Sequence, residues 1–276
     1  MLPTAQILDK WTRWSGEDVH FLETGQGPTI ITLHGAGRPA SLRAPIRRRN
    51  MIKLAGYGYR VVSPDLPGFG LSPMPTTLNS LGDYTEFLAN FADGQGIRDF
   101  YLIGTSMGGA IASLAALAAP NRVRKLVLIG SAGLVLADSP IKFSADENPE
   151  SSARRIFYNQ KVADLYILSG GASNTVDEDK NFRLTISKLF SEGLTHLGSR
   201  LSSLTTPTLI VWGAHDEVIP VAHGHEMNKL IPNSSFVIIP ETGHLPQVEE
   251  PDKVYGLVTR FLNEQSLSLS DNTTAT

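Results

Sequence analysis

Apolar positions along this chain fall into two alternating patterns: short β-branched runs, and longer stretches where they recur at helical spacing. The first two runs, Trp11 to Arg13 and Val19 to Leu22, flank a Gly16-Glu17-Asp18 turn signal and predict an antiparallel hairpin. From Thr29 onward the runs are Thr29 to Leu33, Arg60 to Ser63, Tyr101 to Ile103, Lys125 to Ile129, Thr208 to Trp212 and Ser235 to Ile239. Near-continuous apolar strands of this kind are buried on both faces, as in a parallel sheet covered by helices. Helical periods over 42–55, 79–93, 107–118, 221–230 and 250–264 separate them, at the spacing that β-α-β crossovers need.

One interval breaks the rhythm. Ser131 to Leu204 holds no convincing strand, only helix-like pieces near Ser152 to Leu168 and Phe182 to Phe190, punctuated by Pro140, Pro149 and the Gly170-Gly171-Ala172-Ser173-Asn174 cluster. Structureless stretches of this length are uncommon in compact domains, so the interval reads as an inserted helical cap able to shift over a pocket. The expected organisation is an α/β core in two parts, 1–130 and 205–265, around a cap at 131–204. Residues 266–276, rich in Ser, Thr, Asn and Asp, are expected to be a disordered tail.

Composition narrows the chemistry. A chain of 276 residues is long enough for a full α/β core, and a net charge of -3 with 18% charged residues gives no reason to expect nucleic acid or an anionic membrane as partner. There is no cysteine, which removes a thiol nucleophile and cysteine-ligated zinc together. The first ten residues lack a basic segment followed by an apolar run, and nothing nears the roughly 20 apolar residues of a membrane span. The expectation is a soluble cytoplasmic protein with a small-molecule substrate; the oligomeric state is not legible.

The chemistry centres on Gly104-Thr105-Ser106-Met107-Gly108, a G-x-S-x-G turn entered from an apolar run and left through a small-residue helix. That context makes it a nucleophile elbow, in which Ser106 takes a strained backbone conformation and Gly104 and Gly108 leave room for crossing backbone. The bland rival is a serine that merely caps the helix. A serine hydroxyl needs a general base, and His244 follows the last predicted strand in Glu241-Thr242-Gly243-His244. His20, His196, His223 and His225 are weaker candidates, the last two because they open a helix predicted to be exposed. Asp216, after the preceding strand, is the favoured acid to fix the imidazole tautomer. It could instead cap the next helix, and Glu217 and Asp138 are rival acids.

For the oxyanion, the loop His34-Gly35-Ala36-Gly37 leaves the strand ending at Leu33, and the backbone N–H groups of Ala36 and Met107 are the expected donors. His34 would position that loop or line the pocket, and Asp65 is expected to bond nearby backbone. Pocket positions are His34, Gly35, Gly37, Thr105, Leu134 and Leu245, with Ile156, Phe157, Tyr158, Leu165, Tyr166, Ile167, Leu168 and Phe190 of the cap offering apolar surface. No cofactor and no metal are expected, because His223 and His225 do not share a helix face with which His215 and Glu226 could complete a site. Arg43, Arg47, Arg48, Arg49 and Lys53 form a basic run expected to be a solvated face, or to face an anionic substrate if turned inward.

With these motifs in place, the chain from about Val19 to Leu262 resembles the α/β-hydrolase superfamily. That resemblance implies a mostly parallel eight-stranded sheet with a helical cap inserted after the sixth strand. Ser106-Met107-Gly108-Gly109, Gly130-Ser131-Ala132-Gly133-Leu134 and the histidine loop look like those of the meta-cleavage product hydrolases, which cut carbon-carbon bonds in vinylogous diketones, and of related small-molecule serine esterases. Those carbon-carbon hydrolases usually carry Asn before the nucleophile and Trp after the histidine; this chain has Thr105 and Leu245. The departures favour hydrolysis of a small, largely apolar ester or lactone, with carbon-carbon cleavage as the alternative. Some members of the fold are ligand receptors with little turnover, which is an alternative of another class. A serine at 106 argues against the alkyl-enzyme chemistry of haloalkane dehalogenases and epoxide hydrolases.

Overall fold

Strands β1 (Leu8–Trp14) and β2 (Glu17–Thr24) pair antiparallel around a turn at Ser15 and Gly16, whose φ values are 51° and 85°. Two successive positive φ values match the twist of the flanking strands. Glu17 and Asp18, expected in the turn, instead belong to β2 and pair with Trp14 and Arg13. The computed structural model describes residues 6–36, 45–142, 148–168, 188 and 193–264. The predicted piece Phe182 to Phe190 (Lys188 apart), the Gly170 to Asn174 cluster, Gly37, Arg43 and the tail 266–276 lie outside the described residues.

The remaining strands are β3 (Thr29–Leu33), β4 (Arg60–Pro64), β5 (Phe100–Thr105), β6 (Val123–Ile129), β7 (Thr208–Gly213) and β8 (Ser234–Ile239). They form an eight-stranded sheet in the order β1-β2-β4-β3-β5-β6-β7-β8, antiparallel at β1/β2 and β2/β4 and parallel from β4 to β8. Side chains alternate between two cores, one on each face. Ile31, Val62, Leu126 and Leu128 join helices α2 (Leu81–Gly94) and α3 (Met107–Ala118) on one side. Ile30, Val61, Val127 and Ile129 join α1 (Pro45–Gly56) and the helix Pro251–Asn263 on the other. This two-sided burial is why the strands read as continuous apolar runs. A capping box between Ser80 and Asp83 opens α2, which buries Leu81, Tyr84, Phe87, Leu88 and Phe91.

Between β6 and β7 lie α4 (Pro149–Ile156), α5 (Gln160–Leu168), helical residues 193–198 and a short 3-10 turn, Leu201–Ser203. The single helix predicted over 152–168 is therefore two. Asn148 caps the first, accepting from the N–H groups of Glu150 and Ser151, and Phe157 leaves it in extended conformation. Next come α6 (Ala222–Leu230), α7 (Pro246–Glu249) and α8 (Pro251–Asn263). The helix predicted over 250–264 starts cleanly at Pro251, since Glu250, with a proline after it, is disfavoured in the helical region.

Candidate active site

Strand order reverses at β3, which has β4 on one side and β5 on the other. In open α/β sheets ligands bind beyond the carboxyl ends of the strands at such a switch point. The chain leaving β3 carries His34, Gly35 and Ala36, and the chain leaving β5 carries Ser106. Ser106 has φ 53° and ψ -119°, a strained combination for an L-residue, and makes no side-chain cap to α3. Its N–H donates to Ile129 O at 3.0 Å, and its carbonyl accepts from Gly109 at 2.9 Å and Ala132 at 3.0 Å. A Cβ on Gly104 would lie 2.7 Å from Gly109 Cα, and one on Gly108 would lie 2.6 Å from His34 O. Such approaches exclude any side chain at either position.

His244, after β8, is buried beside Asp216, after β7, and its Nδ1 lies 2.8 Å from Asp216 Oδ2. Asp216 Oδ1 accepts from the N–H groups of Val218 at 2.9 Å and Ile219 at 2.8 Å. The carboxylate thus has acceptors committed on both oxygens, which fixes its plane and makes Nδ1 the protonated nitrogen of the imidazole. Nε2 is then free to accept a proton. Gly130 links this pair to the serine turn. It stands at φ 49° between Ile129, which holds the Ser106 N–H, and the pair itself, and a Cβ there would lie 3.2 Å from His244 Nδ1 and 3.4 Å from Asp216 Oδ2.

Gly35 packs on Ser106: a Cβ on Gly35 would lie 3.2 Å from Ser106 Cβ and 3.6 Å from its Oγ. Met107 opens α3, where first-turn N–H groups have no partner inside the helix and favour negative charge. His34 staples the loop between β3 and Ser106 to the next one. Its Nε2 accepts the Leu66 N–H at 3.0 Å, so Nδ1 carries the proton and donates to Gly35 O at 2.8 Å. Burial, reinforced by the nearby Arg47 guanidinium, pushes its pKa down to about 4, so the ring is neutral. Behind it, Arg47 pairs with Asp65 and donates to Ser63, and Asp65 also meets His20 Nδ1 at 3.1 Å and the Leu71 N–H at 3.1 Å.

The sequence matches the alpha/beta hydrolase family over residues 30–257. This chain belongs to the alpha/beta hydrolase family. It is 30% identical over 261 residues to 2-hydroxy-6-oxononadienedioate/2-hydroxy-6-oxononatrienedioate hydrolase 2 of Pseudomonas putida, covering 88% of this chain and 91% of that one. The 2-hydroxy-6-oxo-6-phenylhexa-2,4-dienoate hydrolase of Rhodococcus sp. strain RHA1 superposes with a TM-score of 0.81 at 26% identity, covering 95% of this chain and 100% of that one. A membrane phospholipase A superposes with a TM-score of 0.75 at 29% identity, covering 93% and 86%.

Other residues singled out in this hydrolase fall in varied places. Glu217 and Asp138 are exposed, and the helix after Asp216 takes Val221 as its N-cap, so Asp216 is not a helix cap. His223 is buried, its Nε2 2.7 Å from Ser139 O, contrary to its expected place on an exposed helix; His225 is exposed against Phe236 and His215 stacks on Tyr158. His196 lies in the helical residues before the 3-10 turn. The described part of the basic run lies at the surface as expected except at Arg47, which turns inward onto Asp65; Arg48 meets Asp9 and Lys53 pairs with Asp252 in exposed ion pairs, and Arg49, itself exposed, donates to Val248 O. Each stitches α1 to another element. Thr105 ends β5, half-buried. Leu134 is buried in the core with Leu197, and Leu245 packs on the cluster of Phe157, Ala163 and Val248. Of the proposed cap surface, Phe157 is buried, Ile156, Tyr166 and Ile167 are half-buried, and Tyr158, Leu165 and Leu168 are exposed; Phe190 is outside the described residues.

Two residues at the site were given no role by the sequence reading. Gly130 carried a signal, a glycine directly at the end of an apolar strand run. Glu249 carried none, since its partners are backbone N–H groups: Gly243 donates to Oε2 and Asn159 to Oε1, each at 2.7 Å.

Proposed function

We propose that this hydrolase cleaves a carbon-carbon bond in a 2-hydroxy-6-oxo-dienoate, a vinylogous diketone acid of the meta-cleavage type. Ser106 is its nucleophile, His244 its base and acid, Asp216 the group that orients His244, and the N–H groups of Ala36 and Met107 its oxyanion donors. His244 takes the Ser106 proton as Oγ attacks the distal carbonyl of the substrate's keto form, and the two N–H groups stabilise the resulting oxyanion. Collapse expels the adjacent carbon, whose electron pair delocalises into the conjugated acid and is protonated from the imidazolium. Water, deprotonated by His244, then attacks the acyl-serine and releases a carboxylic acid. Supporting the mechanism is the buried His244–Asp216 pair beside a strained serine turn; supporting the substrate class are the relatives, named as 2-hydroxy-6-oxo dienoate or dienedioate hydrolases.

That order reverses the sequence-based preference for esters. Thr105 and Leu245 still favour a second reading, hydrolysis of a small apolar ester or lactone, to which the likeness to a phospholipase A adds weight. Both share the acyl-serine and differ in the leaving group. The test is kcat/KM on 2-hydroxy-6-oxo-6-phenylhexa-2,4-dienoate, p-nitrophenyl butyrate and a lactone, with Ser106→Ala as control and a fluorophosphonate to map the nucleophile. Turnover of the dienoate to benzoate, in preference to the esters and abolished in Ser106→Ala, is the expected result. Preference for the esters establishes the second reading, and label on any residue other than Ser106 overturns both.

A further inference from the structure

The contacts of Glu249 concern the segment joining α4 to α5. Its Oε2 accepts the N–H of Gly243, the residue before His244, and its Oε1 accepts the N–H of Asn159. The same two stretches meet directly, since the His244 N–H donates to Ile156 O at 2.7 Å. Their approach is close enough that a Cβ on Gly243 would lie 2.9 Å from Tyr158 N and 3.1 Å from Phe157 C. On the other side, the Tyr158 ring stacks on His215, the neighbour of Asp216, at 4.4 Å. The connection between the two helices therefore touches the chain next to both members of the histidine-carboxylate pair.

A carboxylate accepts on both oxygens, and a backbone N–H meets each oxygen of this one; an amide in its place would turn one acceptor into a donor facing another donor. We propose that Glu249 is a positioning residue that locks the His244 backbone to the α4–α5 connection, so that the imidazole is aimed at Ser106 only while that connection is seated. The proposal rests on the Ser106–His244–Asp216 mechanism above.

Glu249→Gln, which keeps volume, and Glu249→Ala, which does not, separate hydrogen bonding from packing. In Glu249→Gln, kcat is expected to fall on the order of 10- to 100-fold with KM changed less than about threefold. Inactivation by a fluorophosphonate slows in proportion, and amide exchange speeds up at Gly243 and Asn159 while Tm holds. Full kcat and inactivation rate in Glu249→Gln, with losses only in Glu249→Ala alongside a lowered Tm, would show that Glu249 merely fills space and overturn the proposal. An active Ser106→Ala protein would instead remove the mechanism beneath it, so the two failures are told apart by separate variants.

Discussion

Gly130→Ala tests whether the space behind the histidine-carboxylate pair sets its geometry. A Cβ at 130 would lie 2.8 Å from His244 O, an atom that no rotamer change can move aside. Restoring an ordinary carbon-oxygen contact requires the His244 backbone, or the end of β6, to move by about 0.5 Å, the tolerance within which a catalytic constellation must be held. The backbone cost is separate: φ is 49°, and a side chain there costs about 1–2 kcal/mol. Gly96 supplies the control, with φ 65° and nothing within 4 Å of its Cβ position. Gly96→Ala should therefore show the conformational cost alone, a Tm lowered by roughly 2–4 °C per kcal/mol with kcat unchanged. Gly130→Ala should lose at least as much stability and, in addition, on the order of 100-fold in kcat and in fluorophosphonate labelling rate. Calorimetry and steady-state kinetics on the three proteins decide it. A Gly130→Ala enzyme with wild-type kcat and a Tm equal to that of Gly96→Ala would refute the reasoning.

Asp216→Asn keeps the shape but presents an NH2 either to His244 Nδ1 or to the Val218 and Ile219 N–H groups; the first forces the wrong tautomer, and kcat should fall about 10⁴-fold, or about 5.4 kcal/mol, with the fold intact by circular dichroism. Loss of less than tenfold would remove Asp216 from the mechanism. His34 sets an acid limit on stability: its pKa is about 4 in the native state, whereas the unfolded chain takes up the proton near the model-peptide value of about 6.5. Between those values the unfolded state binds more protons, so the contribution is whole above pH 6.5 and declines as pH falls through 4, by no more than about 3 kcal/mol. Urea midpoints at pH 7, 5.5 and 4.5 should fall more steeply for wild type than for His34→Gln, and parallel slopes would contradict the assignment.

What the sequence disclosed and what it withheld divide along a physical line. The elbow was legible because its motif residues Gly104, Ser106 and Gly108 lie within one turn, although what crowds Gly108 and holds the Ser106 backbone, the His34 and Ile129 carbonyls, comes from other stretches of chain. The strands were legible because burial on both faces leaves continuous apolar runs such as Val61-Val62 and Leu126 to Ile129. Within the basic run of α1 only Arg47 misled, because charge pattern alone does not distinguish a guanidinium in water from one buried on Asp65. His223 misled for a related reason, since the Ser139 carbonyl that meets its Nε2 comes from a distant stretch of chain.

Three glycines around the histidine-carboxylate pair share one property: they work through backbone. Gly130 matters by leaving room for the His244 carbonyl, Gly213 by leaving room for the Thr242 carbonyl, and Gly243 by admitting the Ile156 carbonyl. No side-chain chemistry marks such a position, and each contact joins segments that fold together only when β6, β7, β8 and the α4–α5 connection have assembled. A motif search therefore finds the groups that move protons and misses those that hold them at distance. Substitutions at 130, 213 and 243 should accordingly change rate through geometry, while those at 106, 216 and 244 change it through chemistry, and the two classes separate by whether the loss follows the size of the new side chain or the identity of its functional group.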